Sequence, residues 1–319
     1  MSDVLPDVVT FGEALASVRA REPGPLRLGG SLQLSIAGAE SNVAIGLARL
    51  GHRVRWVGRV GADEPGALVL RTLRAEGVDV DHVEVDSSRP TGLMLVERRT
   101  EDVVRVDYRR KDSAGAMLTP AALEAALDPV PRIVHATGIT PALSAGAREA
   151  FATTLHRTAQ LGSKVCLDVN YRRQLWDHAD AFACLRDVVP DVHILVASED
   201  ELGLVAGVDE EAAAVQTLHD AGVREVVVKR GSRGASAFRK GETAHCAAPT
   251  VAVHDILGAG DAFTAGYLSA TLDGEKPAAR LERGVQVAAI AIGCLGDWEG
   301  LPWRDDLPLA ASPPGTTLR

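Results

Sequence analysis

The stretch Asp255-Ile256-Leu257-Gly258-Ala259-Gly260-Asp261 carries the residue types and spacing best suited to chemistry. Gly258, Ala259 and Gly260 make a small-residue turn ahead of a helix-like run over 262–271. A turn entering a helix leaves several backbone N–H groups unpaired and pointing one way. The helix dipole adds partial positive charge there, so the turn suits an anion. Asp261 puts a carboxylate at the mouth of that anion site. A proton acceptor beside a phosphate cradle is what phosphoryl transfer to an alcohol requires. The plainer reading is a glycine-rich strand-to-helix turn with an aspartate near its N-cap, and this motif alone does not separate the two.

Such groups need a sheet end to position them. Apolar runs at 8–12, 54–58, 132–135, 164–168, 193–196 and 225–229 read as strands. Helical patterns lie between them. Residues 42–50 carry Val43, Leu47 and Leu50 at helical spacing with Gly51 as C-cap, and a helix over 65–76 stops at Gly77. Continuous apolar strands alternating with helices predict an α/β fold with a parallel sheet covered on both faces. Ligands of such sheets sit at the carboxyl ends of the strands, where Gly12, Gly138, Asp168, Ser198 and Gly231 fall.

Two segments break that rhythm. Residues 15–37 and 91–110 alternate polar and apolar, and the second has a polar tip at 98–102 that reads as a hairpin turn. They predict a small antiparallel β lid over the rim; edge strands of the main sheet are the alternative. A lid there would exclude water. The expected division is an α/β body from 1–14, 38–90 and 111–308, a lid from 15–37 and 91–110, and a loose tail over 309–319.

Composition narrows the partners. The chain has 319 residues, 46% hydrophobic and 24% charged, which fits one large globular unit. Its net charge is −9 with no basic block, so nucleic acid is a poor partner. Cysteines 166, 184, 246 and 294 form no CxxC pair, which argues against a zinc site or a disulfide scaffold and suits a reducing cytoplasm. The start lacks a signal-like apolar region, and no apolar run reaches membrane-spanning length.

Several motifs together resemble the ribokinase, or PfkB-type, carbohydrate kinases. Gly38-Ala39-Glu40-Ser41-Asn42-Val43-Ala44 is similar to the family's sugar-contacting segment, with Ala39 for its second glycine. Gly58-Arg59-Val60-Gly61-Ala62-Asp63 with Gly66, then Ser198-Glu199-Asp200-Glu201, then Lys229-Arg230-Gly231-Ser232-Arg233-Gly234 follow in the family's order. The 255–261 stretch matches its signature, with Ile256 and Leu257 in place of the usual threonines.

The resemblance implies a ribokinase-like three-layer α/β/α body. ATP lies across the rim with its γ-phosphate over Gly258, Ala259 and Gly260, and Asp261 takes the proton of the attacking sugar hydroxyl. Ser198, Lys229, Gly231, Gly234 and Gln286 fall at ATP-binding positions, with adenine near Ala235 and a helix over 285–294. Mg²⁺ bridges the phosphates, held through water with Glu201; Ser198 and Glu201 also spell a capping box, an equally good account of that glutamate. A monovalent cation, potassium, is implied at Asp255. Gly38, Ala39 and Asn42 are implied to contact the sugar.

Tyr108, Arg110, Ile139 and Arg172 stand in segments similar to the branch acting on 2-keto-3-deoxygluconate. Two rim arginines suit a sugar acid, because guanidinium forms charge-assisted pairs with a carboxylate. The alternative is a neutral sugar such as fructose or ribose, with Arg110 paired to Asp107 or Asp112 and Arg172 touching ATP phosphate. The lid's outer face would carry Leu32, Leu34, Ile36, Leu93 and Leu95, and family members pair such lids, so a homo-oligomer is expected. Two other classes fit less well. A nicotinamide-dependent oxidoreductase needs G-x-G-x-x-G after strand one, whereas the chain reads Gly12-Glu13-Ala14-Leu15-Ala16. A non-catalytic sugar sensor would carry a DNA-binding module and lose the base.

Overall fold

The computed structural model describes residues 5–100 and 103–311. The end of the expected hairpin tip, 101–102, and the tail from 312 lie outside the described residues; 309–311 belong to a 3-10 helix, Arg304–Ala311. The strands are β1 Val8–Phe11, β2 Leu15–Ala20, β3 Leu32–Ala37, β4 Val54–Val57, β5 Arg59–Gly61, β6 Glu84–Asp86, β7 Leu93–Arg98, β8 Val104–Arg109, β9 Ile133–Thr137, β10 Lys164–Asp168, β11 Ile194–Ser198, β12 Glu225–Lys229, β13 Ala235–Arg239 and β14 Glu242–Cys246. The helices are α1 Ala39–Arg49, α2 Glu64–Ala75, α3 Pro120–Ala126, α4 Ala145–Gln160, α5 His178–Val188, α6 Glu199–Ala206, α7 Glu211–Asp220, α8 Ala259–Leu272 and α9 Pro277–Ala291.

The main sheet has the order β14-β13-β12-β11-β10-β9-β1-β4. Its strands from β12 to β4 are parallel, and β13 and β14 add an antiparallel edge. Alternate side chains feed two layers. Val165 and Leu167 pack with Phe151, Leu155 and Leu185 on one face, while Cys166 packs with Leu47, Leu268 and Leu281 on the other. This is the three-layer body that alternating strands and helices require. Each fully buried Leu or Phe contributes about 1.5–3 kcal/mol by leaving water. Helix α8 is buried on all sides from Ala262 to Leu272, which explains why its sequence has no polar face.

The small sheet has the order β3-β2-β7-β8. Its outer pairs are antiparallel as expected, but the central pair, β2 with β7, is parallel. A hairpin ending in β3 and one beginning with β7 meet through strands far apart in sequence, so local alternation could not give that direction. Leu32 and Leu34 are exposed, Leu93 and Leu95 are half-buried, and Ile36 is buried rather than on the outer face. Asp63 links the sheets. It caps α2 through the Gly66 N–H at 2.8 Å and accepts the Thr91 N–H at 2.8 Å just before β7.

Candidate active site

The site is built where α8 begins. Gly258 is the N-cap of α8 with φ 76°, and a Cβ there would lie 1.9 Å from the Asp297 carbonyl oxygen. Only glycine accepts both that backbone and that approach. The Ala259 N–H closes the turn onto Ile256 O at 3.2 Å. The N–H groups of Gly258, Gly260 and Asp261 have no acceptor among the described residues. The free donors therefore flank Ala259 rather than run through all three turn residues.

Asp261 stands in the first turn of α8 and accepts from Asn42 Nδ2 at 2.8 Å. Asn42 is buried in α1, and its Oδ1 has no hydrogen-bond partner among the described residues. Burial pushes the Asp261 carboxyl up to about 6; the Asn42 bond lowers it and the Asp168 charge raises it further. A carboxylate poised there can accept a proton near neutral pH.

Behind it stands Glu40, in the first turn of α1 and 1% exposed. Glu40 Oε1 accepts from Thr137 Oγ1 at 2.6 Å and Thr140 Oγ1 at 3.0 Å. Burial pushes its carboxyl up to about 7, and the Asp261 charge adds to the rise. A Cβ on Gly12 would fall 2.3 Å from the Glu40 carboxyl carbon. That glycine makes room for a carboxyl, which is a different use from a dinucleotide turn. Sequence reading missed Glu40 although it lies inside the quoted 38–44 segment; a glutamate flanked only by small residues was the available signal.

Lys229 ends β12 and donates to both Asp168 oxygens at 2.8 Å. Thr264 Oγ1 also donates to Asp168, at 2.9 Å. The pair sits under the turn, since a Cβ on Gly260 would meet Lys229 Nζ at 3.4 Å. Burial works against the Lys229 charge, but Asp168, Glu201 and Asp261 together raise its pKa above the usual value. Ser198 pairs with Lys229 across β11 and β12. Gly231 and Gly234 follow in the next turn with φ 55° and 94°. Gln286 lies on α9 and its amide donates to Glu282 within that helix at 3.5 Å.

Glu201 completes the capping box, accepting the Ser198 N–H at 2.9 Å, and also accepts the Tyr171 N–H at 2.7 Å. It thereby ties α6 to the loop after β10. Asp255 is 5% exposed and bonded to Arg19, a residue that sequence reading did not single out. An arginine in the buried strand β2 was the signal for it.

Gly38 caps α1, Ala39 begins it, and Ile139 follows β9, buried. Tyr108, in β8, is half-buried, and burial raises its hydroxyl pKa; Arg172 and Arg110 oppose the rise while Asp297 and Asp261 add to it. Tyr108 and Arg172 line one cleft. Arg110 pairs with neither Asp107 nor Asp112. Its Nε donates to the buried Glu13 at 2.6 Å, and its guanidinium stacks 5.4 Å from the Tyr108 ring centroid. Arg172 is exposed, donates to Tyr171 O at 3.2 Å and has no ion-pair partner among the described residues. A cleft of about 280 Å³ is lined by Tyr108, Tyr171 and Arg172; Asp261 is not in its wall.

The family model for pfkB family carbohydrate kinases matches residues 5–304. The chain belongs to the PfkB family of carbohydrate kinases. It is 35% identical to a 2-dehydro-3-deoxygluconokinase of Thermoproteus tenax over 94% of this chain and 93% of that protein. A PfkB protein from Polaromonas sp. JS666 superposes with TM-score 0.86 at 34% identity, covering 95% of this chain and 99% of that one. A putative ribokinase II of E. coli, solved with ATP and Mg²⁺, superposes with TM-score 0.91 at 24% identity over 96% of this chain and 99% of that one. This PfkB kinase thus has the ribokinase-like fold. No helix among its described residues is long and apolar enough to cross a membrane.

Proposed function

We propose that this PfkB kinase transfers the γ-phosphoryl group of ATP to the terminal hydroxyl of 2-keto-3-deoxygluconate (2-dehydro-3-deoxygluconate), giving the 6-phosphate. One observation carries the choice of a sugar acid: Arg172 lines the same cleft as Tyr108 and has no ion-pair partner among the described residues. The 2-dehydro-3-deoxygluconokinase of Thermoproteus tenax, similar over nearly the whole chain, supports the same substrate.

In this reading Asp261 receives the proton of the attacking hydroxyl. The N–H groups of Gly258, Gly260 and Asp261 face the charge that develops on the transferred group. Lys229 adds positive charge beneath the turn, held in place by Asp168. Mg²⁺, when bound, neutralises the phosphates; Glu201 fits a role through water, because its oxygens are already used by two backbone amides. Tyr108 and Arg172 hold the carboxylate end, and Gly38, Ala39, Asn42 and Ile139 border the sugar. Ser198, Gly231, Gly234 and Gln286 line the nucleotide side.

The small sheet acts as a lid. Its exposed Leu32 and Leu34 support pairing with a second copy in a cytoplasmic homo-oligomer. A neutral substrate such as fructose is the second reading, favoured by the Arg110–Glu13 pair, which leaves less free positive charge for an acid. Coupled ADP release on 2-keto-3-deoxygluconate, its galactonate epimer, fructose and ribose separates them. A kcat/KM for fructose above that for both acids would replace the sugar-acid reading.

A further inference from the structure

Asp255 and Asp297 belong to the two segments that wall the phosphate turn. Asp255 lies three residues before Gly258 and accepts the Leu257 N–H at 3.1 Å and the Gly296 N–H at 3.2 Å. The Asp297 carbonyl presses against Gly258. Both carboxylates are largely buried, with side chains 2% and 11% exposed. Two such charges close together repel and need a cation. Arg19 supplies it. One guanidinium nitrogen donates to Asp255 Oδ2 and the other to Asp297 Oδ1, the latter at 2.9 Å.

Arg19 arrives from β2 of the small sheet, and its side chain is only 7% exposed. Burial raises the Asp297 carboxyl to about 7, with Arg19 opposing the rise and Asp261, Asp255 and Glu299 adding to it. A second contact joins the same two parts: Leu257 packs on the small-sheet cluster of Leu15, Met94 and Val96.

The monovalent cation implied at Asp255 does not fit these residues. The Asp255 oxygens are occupied by a guanidinium and two backbone amides. Ile256 and Leu257 offer no side-chain oxygen. A guanidinium is permanently charged and its planar fork spans two carboxylates, which a small ion matches only by recruiting further ligands.

We propose that Arg19 is the resident cation of this phosphate site, a positioning residue that fixes the turn through Asp255 and Asp297 and docks the small sheet on it. Potassium is then dispensable for turnover. The inference rests on the chain being a carbohydrate kinase and not on which sugar it takes.

The test measures ADP release by the full-length protein with ATP, Mg²⁺ and whichever sugar it turns over. It is run in KCl, NaCl and tetramethylammonium chloride at equal ionic strength. The parent kcat is expected to change less than about threefold among the salts. Arg19→Ala is expected to lose about tenfold or more in tetramethylammonium chloride and to regain several-fold with K⁺ or guanidinium ion. Arg19→Lys is expected to hold its rate better and to stay indifferent to the salt. A parent enzyme accelerated beyond about threefold by K⁺ overturns the proposal. So does a folded Arg19→Ala variant that keeps the parental kcat, or one slowed equally in every salt. Should Arg19→Ala not fold, the parent's salt series and Arg19→Lys decide. A sugar panel answered by fructose would change the substrate and leave this test intact.

Discussion

Asn42 Nδ2 donates to Asp261 Oδ2 at 2.8 Å, while Oδ1 of the same amide is buried with no hydrogen-bond partner among the described residues. The bond stabilises the charged carboxylate and so opposes the upward push of burial, which leaves Asp261 at about 6. The rate of a reaction that needs the carboxylate should rise as pH passes through about 6. Asn42→Ala should move that acid limb to higher pH, losing more activity at pH 6 than at pH 8. Asp261→Asn should fold normally and lose at least ~10²-fold in kcat on the alkaline side of that limb, where the parent carboxylate is ionised, with the gap narrowing as pH falls. Profiles of kcat/KM against pH check both, and an unmoved limb in Asn42→Ala would remove Asn42 as the partner that tunes the base.

Glu40 should make stability depend on pH. Its folded carboxyl is raised from the usual 4.5 to about 7, so the folded state holds a proton that the unfolded chain has released. Its contribution is complete below about 4.5 and is lost as pH climbs through about 7. Glu40→Gln keeps an acceptor for Thr137 and Thr140 but cannot ionise. The drop in Tm from pH 5 to pH 8 should be smaller in Glu40→Gln than in the parent. Parallel Tm curves for the two proteins would show that Glu40 titrates normally.

The two glycines of the turn should fail differently. Gly258→Ala forces a Cβ onto the Asp297 carbonyl and a side chain into left-handed backbone, the latter alone costing about 1–2 kcal/mol. It should lower Tm and raise the KM for ATP. Gly260→Val has open contact distance to Lys229 Nζ, so it should fold but crowd the N–H donors. Its KM for ATP should rise more than its KM for the sugar. An unchanged KM for ATP in folded Gly260→Val would mean that the turn does not hold phosphate.

Arg172 and Arg110 should no longer behave alike. Losing one charge-assisted contact costs roughly 1.5–3 kcal/mol, so Arg172→Ala should reduce kcat/KM for the sugar acid by one to two orders of magnitude. Activity on a neutral sugar of similar length should be spared. Arg110 is already neutralised by Glu13, and its removal leaves that buried carboxylate without a cation, held only by the Ser113 hydroxyl among the described residues. Arg110→Ala should therefore lower Tm as well as activity, whereas Arg172→Ala should leave Tm within about 1 °C of the parent. An equal loss on acid and neutral sugar in Arg172→Ala would assign that arginine to ATP.

The parallel strands of the main sheet with the helices between them, the turn at 258–260 and the aspartate behind it were legible in the chain alone, whereas the antiparallel edge β13–β14 and the β5–β6 pair were not. Those features depend on local terms: apolar periodicity, helix caps and the need for glycine at tight backbone. The partners of the charged residues were not legible. Arg110 meets Glu13 across 97 residues, and Arg19 meets Asp255 across 236. The direction of β2 against β7 was hidden for the same reason. A charge in a sequence can choose any opposite charge that folding brings near. Only the packing of the small sheet against the start of α8 decides which one, and with it which cation the phosphate turn keeps.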